Sequence, residues 1–281
     1  MLSYRHAYHA GNHADVLKHY VLSVVLDYFN QKAAPYWYID THAGAGMYAL
    51  NGEFAQKNVE FETGIARLMD AKNLTQHLSQ FIDCVQSFNS KNSLDFYPGS
   101  PQIAAHYLRT EDKMRLFELH PNDYKLLTEN FSHQGRQTKV ALQDGFAGIK
   151  ACLPPPTKRA VVLIDPPYEL KEDYQRVVNC IEDSLKRFAT GTYLIWYPLL
   201  QRPEPTQMLA NLKKFHPKNW LSIELNVQSP SENGYGMHGS GIFIINPPYV
   251  LPDLLNGAMP ILTDLLSADD TANYQLTSHI T

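Results

Sequence analysis

The residues with the most specific chemistry lie in the segment VVLIDPPY, 161–168, where an apolar run ends in an acid. Two prolines follow Asp165, and proline fixes the backbone angle φ and removes a hydrogen-bond donor. The Asp165 carboxylate and the Pro166 carbonyl can each accept one hydrogen from an exocyclic amino group. The ring of Tyr168 offers a face on which a planar base can stack. The segment therefore predicts a site for an amino group on a planar ring.

The amino group of adenine is a poor nucleophile because its lone pair is delocalised into the ring. Acceptors that take both of its hydrogens favour a more tetrahedral nitrogen and aim the lone pair at an electrophile, such as a sulfonium-bound methyl group. Catalysis then comes mostly from positioning and electrostatics. The segment thus indicates methyl transfer, with Asp165 able to take the released proton. A plain proline-rich loop after a strand is the alternative.

Three more predicted strand ends carry groups that suit a nucleoside cofactor. YIDTHAGAGMY turns at Gly44, where a ligand can approach the backbone closely, and it lacks the third glycine of the NAD fingerprint. Glu118, at the end of the next strand, is placed for a ribose diol. Asp144 could accept from an adenine amino group while Gly145 lets the ring lie against the backbone. Each also fits an ordinary turn or helix start, but their agreement favours a cofactor site.

A second copy of the motif, IINPPY at 244–249, has Asn246 in place of the acid. Asp165 ends the fourth predicted strand, which in a doubly wound sheet lies beside the first strand at the switch point. Asn246 ends the seventh, further from the cleft. We therefore assign the chemistry to Asp165 and a structural role to Asn246.

The N-terminal segment SYRHAYHAGNHADVLKHY combines cations, imidazoles and aromatic rings, which suits a nucleic acid. Its four histidines have no compact ligand spacing and no nearby cysteine, so we predict no metal site. Lys18 and His19 are adjacent, so they are not expected to share one helix face. For Lys18 the sequence leaves four roles open: orienting the cofactor, contacting phosphate, closing a lid, or a solvated surface lysine.

Composition limits the class of protein. The 281 residues include 24 Lys plus Arg against 28 Asp plus Glu, a net charge of −4, so phosphate contacts require a local basic patch. The three cysteines have no disulfide or zinc spacing. No secretory signal is visible, and no apolar run approaches the roughly 18 residues of a membrane span. We expect a soluble cytoplasmic protein that contacts no membrane.

Short apolar runs alternate with helical patterns, which predicts an α/β, doubly wound, Rossmann-like fold with a seven-stranded, mostly parallel sheet. The predicted strands are 36–40, 114–118, 139–143, 160–164, 192–197, 222–227 and 241–246. The predicted helices are 14–31, 100–109, 121–130, 172–188 and 205–215.

More than 70 residues separate the ends of the first two predicted strands, at positions 40 and 118. One crossover helix needs far fewer. The apolar residues of FETGIARLMD and LSQFIDCVQSFN recur at spacings of three and four, which is typical of helices. We therefore predict a helical insertion subdomain at 50–97 after the first strand, within a catalytic domain formed by 1–49 and 98–281.

The motifs HAGNHADVLKH, YIDTHAGAGMY, YPGSP, FELHP, QDGF and LIDPPYE occur in this order. With them the whole chain closely resembles the RlmJ family, S-adenosylmethionine-dependent methyltransferases that act on adenine N6 of 23S ribosomal RNA. The glycine turn and Asp-Pro-Pro-Tyr are shared by many amino-methyltransferases. The N-terminal segment and the interrupted first crossover are what distinguish this family. The resemblance implies a class I methyltransferase domain.

The resemblance also implies roles for individual residues. It implies that Asp165 is the catalytic acceptor, together with Pro166, Tyr168 and a neighbouring Lys18. It implies that Tyr4 and His6 contact the RNA. The implied cofactor site is drawn from His19, His42, Gly44, Ser100, Glu118, Asp144, Gly145 and Asp165.

The expected activity is methyl transfer from S-adenosylmethionine to one adenine N6 of 23S rRNA during ribosome biogenesis, leaving S-adenosylhomocysteine. The adenine must be unstacked, and the mild acidity suits a weakly bound, protein-free or early-assembly RNA. We expect a monomer without a metal. Two enzymatic alternatives, a DNA adenine-N6 and a protein glutamine methyltransferase, stay open because their amino groups suit the same acceptors. A non-enzymatic rRNA-binding assembly factor is the third.

Overall fold

The computed structural model describes residues 5–91, 93–215 and 217–281. Its strands are β1 Trp37–Asp40, β2 Met47–Ala49, β3 Phe96–Pro98, β4 Lys113–Glu118, β5 Thr138–Leu142, β6 Ala160–Ile164, β7 Thr192–Leu199, β8 Trp220–Asn226, β9 Gly239–Ile245 and β10 Asn273–His279. Its helices are α1 His13–Asn30, α2 Ala55–Asn58, α3 Ile65–Met69, α4 Gln76–Gln86, α5 Ser100–Tyr107, α6 Pro121–Asn130, α7 Gly145–Gly148, α8 Glu172–Arg187, α9 Pro203–Lys214 and α10 Leu251–Leu266.

The main sheet has the strand order β10-β8-β9-β7-β6-β1-β4-β5. β1 pairs in parallel with β4 on one side and β6 on the other, so the chain changes direction across the sheet at β1. β9 and β10 run antiparallel to their neighbours. This topology confirms the predicted Rossmann-like α/β fold, and the switch point beside β1 is where such sheets form a ligand cleft.

Strand β6 shows why its sequence is a continuous apolar run. Successive side chains of a strand point to opposite faces. Val161 and Leu163 therefore join the core that holds α1 and α5, whereas Val162 and Ile164 join the core that holds α8 and α9. A strand covered by helices on both faces has no polar side.

The sheet contains one strand more than the seven predicted, because β10 adds to its edge. β10 is mostly exposed and its sequence NYQLTSH is polar, so it has no apolar run to reveal it. Its backbone pairs with β8 over the register Asn273↔Asn226 to His279↔Trp220. Helix α10 was also not predicted, and it packs its apolar face against the same core as α1. The ends of the predicted helices lie within two residues of those observed.

The two ends of the segment predicted as an insertion lie side by side, because β2 and β3 pair antiparallel with Met47 opposite Pro98. Helices α2, α3 and α4 lie between these strands, as the helical spacing predicts. Leu78 and Phe81 of α4 are fully buried in the core that also holds α1, and the Phe81 ring lies 6.3 Å from that of Tyr20. The division of the chain into two subdomains stays a prediction.

No helix among the described residues combines the length and apolarity needed to cross a membrane.

Replacing Phe81 by Ala should lower the free energy of unfolding by about 3–5 kcal/mol, because it removes a buried ring from the core around α1. Denaturant unfolding measures this. The matched control is Phe96→Ala, whose ring is 42% exposed and whose loss should cost less than about 1 kcal/mol. Equal losses would contradict the placement of α4 in the shared core. A separate early transition in the wild type would instead favour an independently folding insertion.

Candidate active site

A cavity of about 360 Å³ opens at the carboxyl ends of the parallel strands β1, β4, β5 and β6. Every predicted site residue that the structure describes lines it: His6, Lys18, His19, His42, Gly44, Ser100, Glu118, Asp144, Gly145, Asp165, Pro166 and Tyr168. Tyr4 lies outside the described residues. The gathering follows from topology, because the ends of parallel strands meet at one edge of the sheet.

Lys18 is a buried cation held between two carboxylates. Its Nζ lies 2.6 Å from Oδ2 of Asp165 and 2.9 Å from Oδ1 of Asp15. The lysine is 4% exposed, so it is not a solvated surface residue. The pair Lys18–Asp165 joins the second turn of α1 to the residue that follows β6.

Electrostatic interactions keep both Lys18 and Asp15 charged. Burial by itself lowers the pKa of Lys18, but the charges of Asp15 and Asp165 outweigh it and raise that pKa above its ordinary value. Burial likewise favours the neutral form of Asp15, yet the neighbouring His6 and Lys18 hold the pKa of Asp15 well below its usual range. Lys18 is therefore a fixed ammonium donor at neutral pH.

Lys18 and His19 both line the cavity although they are adjacent on α1. The reason is that the first half of α1 is buried on every side, so it presents no solvent face. The His19 Nδ1 lies 2.8 Å from the Tyr97 hydroxyl, and burial lowers the pKa of His19 well below its ordinary value. His19 is thus a neutral ring that lines the cavity.

His6 is tied to the same cluster, since its Nε2 lies 2.9 Å from Oδ2 of Asp15. Its ring also packs 5.0 Å from the ring of Tyr48. The short 3₁₀ helix His6–Tyr8 is thereby held over the cavity. The expected contact of His6 with RNA stays a prediction.

The first turn after β1 is built around Gly44. Its φ is +61°, and a Cβ there would lie 2.2 Å from the Tyr48 hydroxyl, so only glycine fits. The Gly44 N–H donates to Oε2 of Glu118 at 2.8 Å, and the His120 N–H donates to Oε1 at 2.7 Å. Burial raises the pKa of Glu118, an effect these two donors partly offset. Glu118 stands at the end of β4 with its carboxylate oriented at the turn.

Asp40, which ends β1, is fully buried behind this turn. Its Oδ2 accepts hydrogen bonds from the hydroxyls of Tyr38 and Ser100, both at 2.7 Å. Burial raises the pKa of Asp40 to about 6. The predicted cofactor residue Ser100 therefore anchors the first residue of α5 to the end of β1.

Asp144 and Gly145 follow β5 on the far side of the turn. Asp144 accepts from the Phe146 N–H at 3.0 Å and from Arg176 Nη2 at 2.6 Å. A Cβ on Gly145 would lie 1.8 Å from the Thr41 carbonyl oxygen, so the backbones of the two loops touch directly at this position. Close packing of β5 against the first turn is the structural reason for this glycine.

His42 lies between these loops as a neutral imidazole. Its Nδ1 is 2.8 Å from Thr41 Oγ1, and its ring meets the Phe146 ring edge-on at 4.8 Å. Burial lowers the pKa of His42 to about 3. A cationic ligand in this cleft therefore meets no positive charge from His42.

The Asp-Pro-Pro-Tyr segment leaves two acceptors open toward the cavity. Lys18 occupies Oδ2 of Asp165, and no hydrogen bond from the described residues reaches Oδ1 or the Pro166 carbonyl oxygen. Tyr168 has a φ of +50° and is 5% exposed. Its hydroxyl donates to the Trp196 carbonyl at 2.7 Å and its ring packs 4.5 Å from that of Tyr174. A base that stacks on Tyr168 must reach the small part of the ring that faces the cavity.

The second copy of the motif lies at the end of the sheet where the parallel strands begin, opposite the end that forms the cavity. β9 is antiparallel to β7, and Ile245 pairs with Tyr193 near the start of β7, so Asn246 is remote from the cleft. The Asn246 amide donates to the carbonyls of Ala189 and Gly191 at 2.8 and 2.7 Å. Asn246 thus ties the β9 end to the loop before β7.

The site suits a nucleoside-type cofactor. Its volume lies within the range of roughly 300–1,000 Å³ that is usual for ligand pockets. It offers the Glu118 and Asp144 carboxylates as acceptors and a glycine backbone that a ligand can approach closely. No group of three or more histidine, cysteine, aspartate or glutamate side chains in 5–91, 93–215 and 217–281 is arranged to hold a metal ion.

Asp15 and Arg176 are among the charged residues of the site that sequence reasoning missed. Both line the cavity. Asp15 stands three residues before Lys18 on α1, and Arg176 stands three residues after Asp173 on α8, with 3.2 Å between Arg176 Nη1 and Asp173 Oδ1. Spacings of three on a helix were therefore the available signal.

Asp40→Asn tests the raised pKa of Asp40. Because that pKa is about 6 against an ordinary value of 3.8, the folded state keeps a proton at pH 5 that the unfolded state has lost. The wild type therefore loses stability as pH rises toward neutrality, whereas the variant lacks this dependence. Between about pH 4 and 7, the stability of Asp40→Asn relative to wild type should rise by up to about 3 kcal/mol. Denaturant unfolding with exposed Asp264→Asn as control measures it, and a pH-independent difference would contradict the assignment.

Comparison with known proteins agrees with this geometry. A family model described as "Ribosomal RNA large subunit methyltransferase D, RlmJ" matches residues 33–278. The Escherichia coli (strain K12) protein named ribosomal RNA large subunit methyltransferase J is 46% identical over 262 residues, covering 93% of both chains. The protein of the same name from Haemophilus influenzae (strain ATCC 51907 / DSM 11121 / KW20 / Rd) is 43% identical, covering 98% of this chain and 97% of its own.

A solved structure from Legionella pneumophila str. Philadelphia 1 has the same fold over almost the whole chain. It superposes with a TM-score of 0.88 at 34% identity, covering 96% of this chain and 98% of that one. The matched region includes the strand ends that form the cavity, and the predicted resemblance is confirmed. The chain belongs to the RlmJ family of ribosomal RNA large subunit methyltransferases.

Proposed function

We propose that this protein transfers the methyl group of S-adenosylmethionine to the exocyclic N6 of one adenine in 23S ribosomal RNA. One observation carries the proposal. The Asp165 carboxylate is fixed by Lys18 through one oxygen, while its other oxygen and the Pro166 carbonyl stay open toward the cavity beside the glycine turn. Two converging acceptors next to a cofactor cleft are what an exocyclic amino group requires.

The chemistry assigned to the chain is positioning. S-adenosylmethionine supplies an electrophilic methyl group and leaves as S-adenosylhomocysteine. Asp165 Oδ1 and the Pro166 carbonyl oxygen accept the two N6 hydrogens, which localises the nitrogen lone pair and aims it into the cleft. The carboxylate also stabilises the positive charge that develops on the nitrogen and can receive its proton.

Lys18 acts as a positioning residue for Asp165. Its ammonium holds Oδ2 at 2.6 Å, and Asp15 holds the ammonium in turn. The carboxylate is thereby fixed in one orientation before the base arrives. This role was not among the four that the sequence left open for Lys18; its support is the direct contact with Asp165.

The cofactor is assigned to the turn after β1 and the ends of β4 and β5. Glu118 would accept from the ribose hydroxyls, and Asp144 from the adenine amino group. Gly44 and Gly145 would let the ligand lie close to the backbone. Neutral His42 and His19 would line the cleft. Ser100 would also line it, held in place by its hydrogen bond to Asp40. Neutral imidazoles suit a sulfonium ligand because they add no repulsion.

The RNA side of the site is assigned to Tyr168 and to the N-terminal segment with Tyr4 and His6. The cavity admits one base only after it has left its stack, so the target adenine is expected in a loop or bulge. We further infer a monomer that acts in the cytoplasm on protein-free or early-assembly rRNA. Its net charge of −4 disfavours tight binding to the phosphate backbone as a whole.

Transfer of a tritiated methyl group tests the substrate. The purified protein would be mixed with labelled S-adenosylmethionine and, separately, with transcribed 23S rRNA, adenine-containing DNA and release-factor protein. Label in rRNA alone is expected, and nucleoside digestion should identify N6-methyladenine. Label only in DNA or only in protein would overturn the substrate assignment. Binding of cofactor and rRNA without any transfer would favour a non-enzymatic assembly factor.

The cellular test uses rRNA from cells that lack the gene. Mass spectrometry should show one adenine without its methyl group, restored by the wild-type gene. Methylation of finished subunits only, with no activity on protein-free rRNA, would reject the assembly-stage inference.

Asp165→Ala should reduce methyl transfer by at least about a hundredfold, because it removes the acceptor that aligns the nitrogen. S-adenosylmethionine affinity should change by less than about threefold, since Glu118 and Asp144 remain. Single-turnover transfer and calorimetric titration measure the two effects. The control is Asp264→Ala, an exposed acid on α10 away from the cavity. Wild-type rates in Asp165→Ala would remove it from the chemistry.

A further inference from the structure

Beside the mouth of the cavity lies a group of four side chains that the methyl-transfer chemistry does not use: Arg5, Tyr8, Phe54 and Lys57. We call it the cation–aromatic cluster. The Arg5 guanidinium carbon lies 5.1 Å from the centre of the Phe54 ring, and Lys57 Nζ lies 5.7 Å from that of Tyr8. The two rings meet edge-on at 5.2 Å. The cluster is therefore a pair of adjacent rings with one cation packed on each of them.

Its position places it next to the target base. Tyr8 ends the 3₁₀ helix His6–Tyr8, and both His6 and His9 line the cavity. Phe54 and Lys57 belong to the inserted segment: Phe54 directly precedes α2, and Lys57 is the third residue of that helix. The cluster thus joins the N-terminal segment to the inserted helices at the rim of the cleft.

The cluster is accessible. Phe54 is 37% exposed and the Lys57 side chain is 55% exposed, while Arg5 and Tyr8 are partly buried. The exposed part of the Phe54 ring therefore offers a surface on which a further planar group can stack. Cations packed on such rings are held in place without losing their charge.

The surrounding acidic side chains do not form strong ion pairs with Arg5 or Lys57, so both cations are available to a phosphate. Glu60 is engaged by His9 at 2.9 Å, by Asn12 at 2.9 Å and by Asn58 at 3.3 Å. Glu53 approaches Lys57 only to 4.0 Å and is 84% exposed, a surface pair of little strength. No salt bridge within the described ranges joins Arg5 to a carboxylate. This is a local positive patch on a chain whose net charge is −4.

We propose that the cation–aromatic cluster binds the RNA strand next to the target adenosine, with a neighbouring base against Phe54 and phosphates at Lys57 and Arg5. The inference rests on the proposed function, because it takes RNA as the substrate. Proteins that bind an unpaired strand combine aromatic faces for its bases with cations for its phosphates, and this pair of rings with a cation at each end offers both. It also assigns a use to the segment between β2 and β3: holding the strand while the adenine occupies the cavity.

The experiment measures KM and kcat on transcribed 23S rRNA for Phe54→Ala, Lys57→Gln and the double variant. KM for RNA should rise about tenfold in Phe54→Ala, with kcat and S-adenosylmethionine affinity within about twofold of wild type. In Lys57→Gln, the slope of log affinity against log salt should become shallower by about 0.7–0.9, the effect of one lost phosphate contact. Phe54→Tyr and Lys57→Arg should retain wild-type KM.

Lys213→Gln is the matched control. Lys213 also packs on a ring, 4.5 Å from the centre of Trp220, but at the opposite edge of the sheet near the start of β8. If the double variant and this control share the wild-type KM and salt slope, the inference is wrong although the proposed function stands. A fall in kcat with unchanged KM would also overturn it. If the wild type transfers no methyl to RNA, the proposed function itself fails.

Discussion

The site depends on the buried lysine that bridges Asp15 and Asp165. Removing one partner from such a group leaves an uncompensated charge in the protein interior, which typically costs about 3–5 kcal/mol. The contact joins α1 to the residue that follows β6. It also leaves only one oxygen of Asp165 without a hydrogen bond from the described residues. The same three side chains therefore hold α1 against the sheet and orient the Asp165 carboxylate that lines the cavity.

The parallel sheet explains why the remaining groups converge. Gly44, Glu118, Asp144 and Asp165 follow four different strands, yet they meet because those strands point the same way and are neighbours. The reversed direction of β9 has the opposite effect. It places Asn246 and the two prolines after it at the end of the sheet away from the cavity, where the Asn246 amide donates hydrogen bonds to backbone carbonyls. Two similar motifs thus have different roles because of strand direction.

Electrostatics divide the cleft into two parts. Near the glycine turn, burial keeps His19 and His42 neutral, as a cationic ligand requires. Near β6, the carboxylates of Asp15 and Asp165 lie within hydrogen-bond distance of Lys18 and raise its pKa, so the lysine keeps its charge. Outside the cleft, cations packed on aromatic rings form the surface we assign to the RNA strand. A protein with net negative charge can in this way bind a polyanion locally.

The sequence by itself determined the α/β class, most of the strands and the residues at their carboxyl ends, because apolar runs and glycine turns are local patterns. It could not reveal β10, whose polar edge depends on pairing with β8 and not on burial. Nor could it assign Lys18 a role, since its partner Asp165 lies on another element, and the spacings of three that link Asp15 to Lys18 and Arg176 to Asp173 do not show which helix face meets the cavity. Those contacts exist only once α1 and α8 pack against the sheet, and burial then decides which groups stay charged.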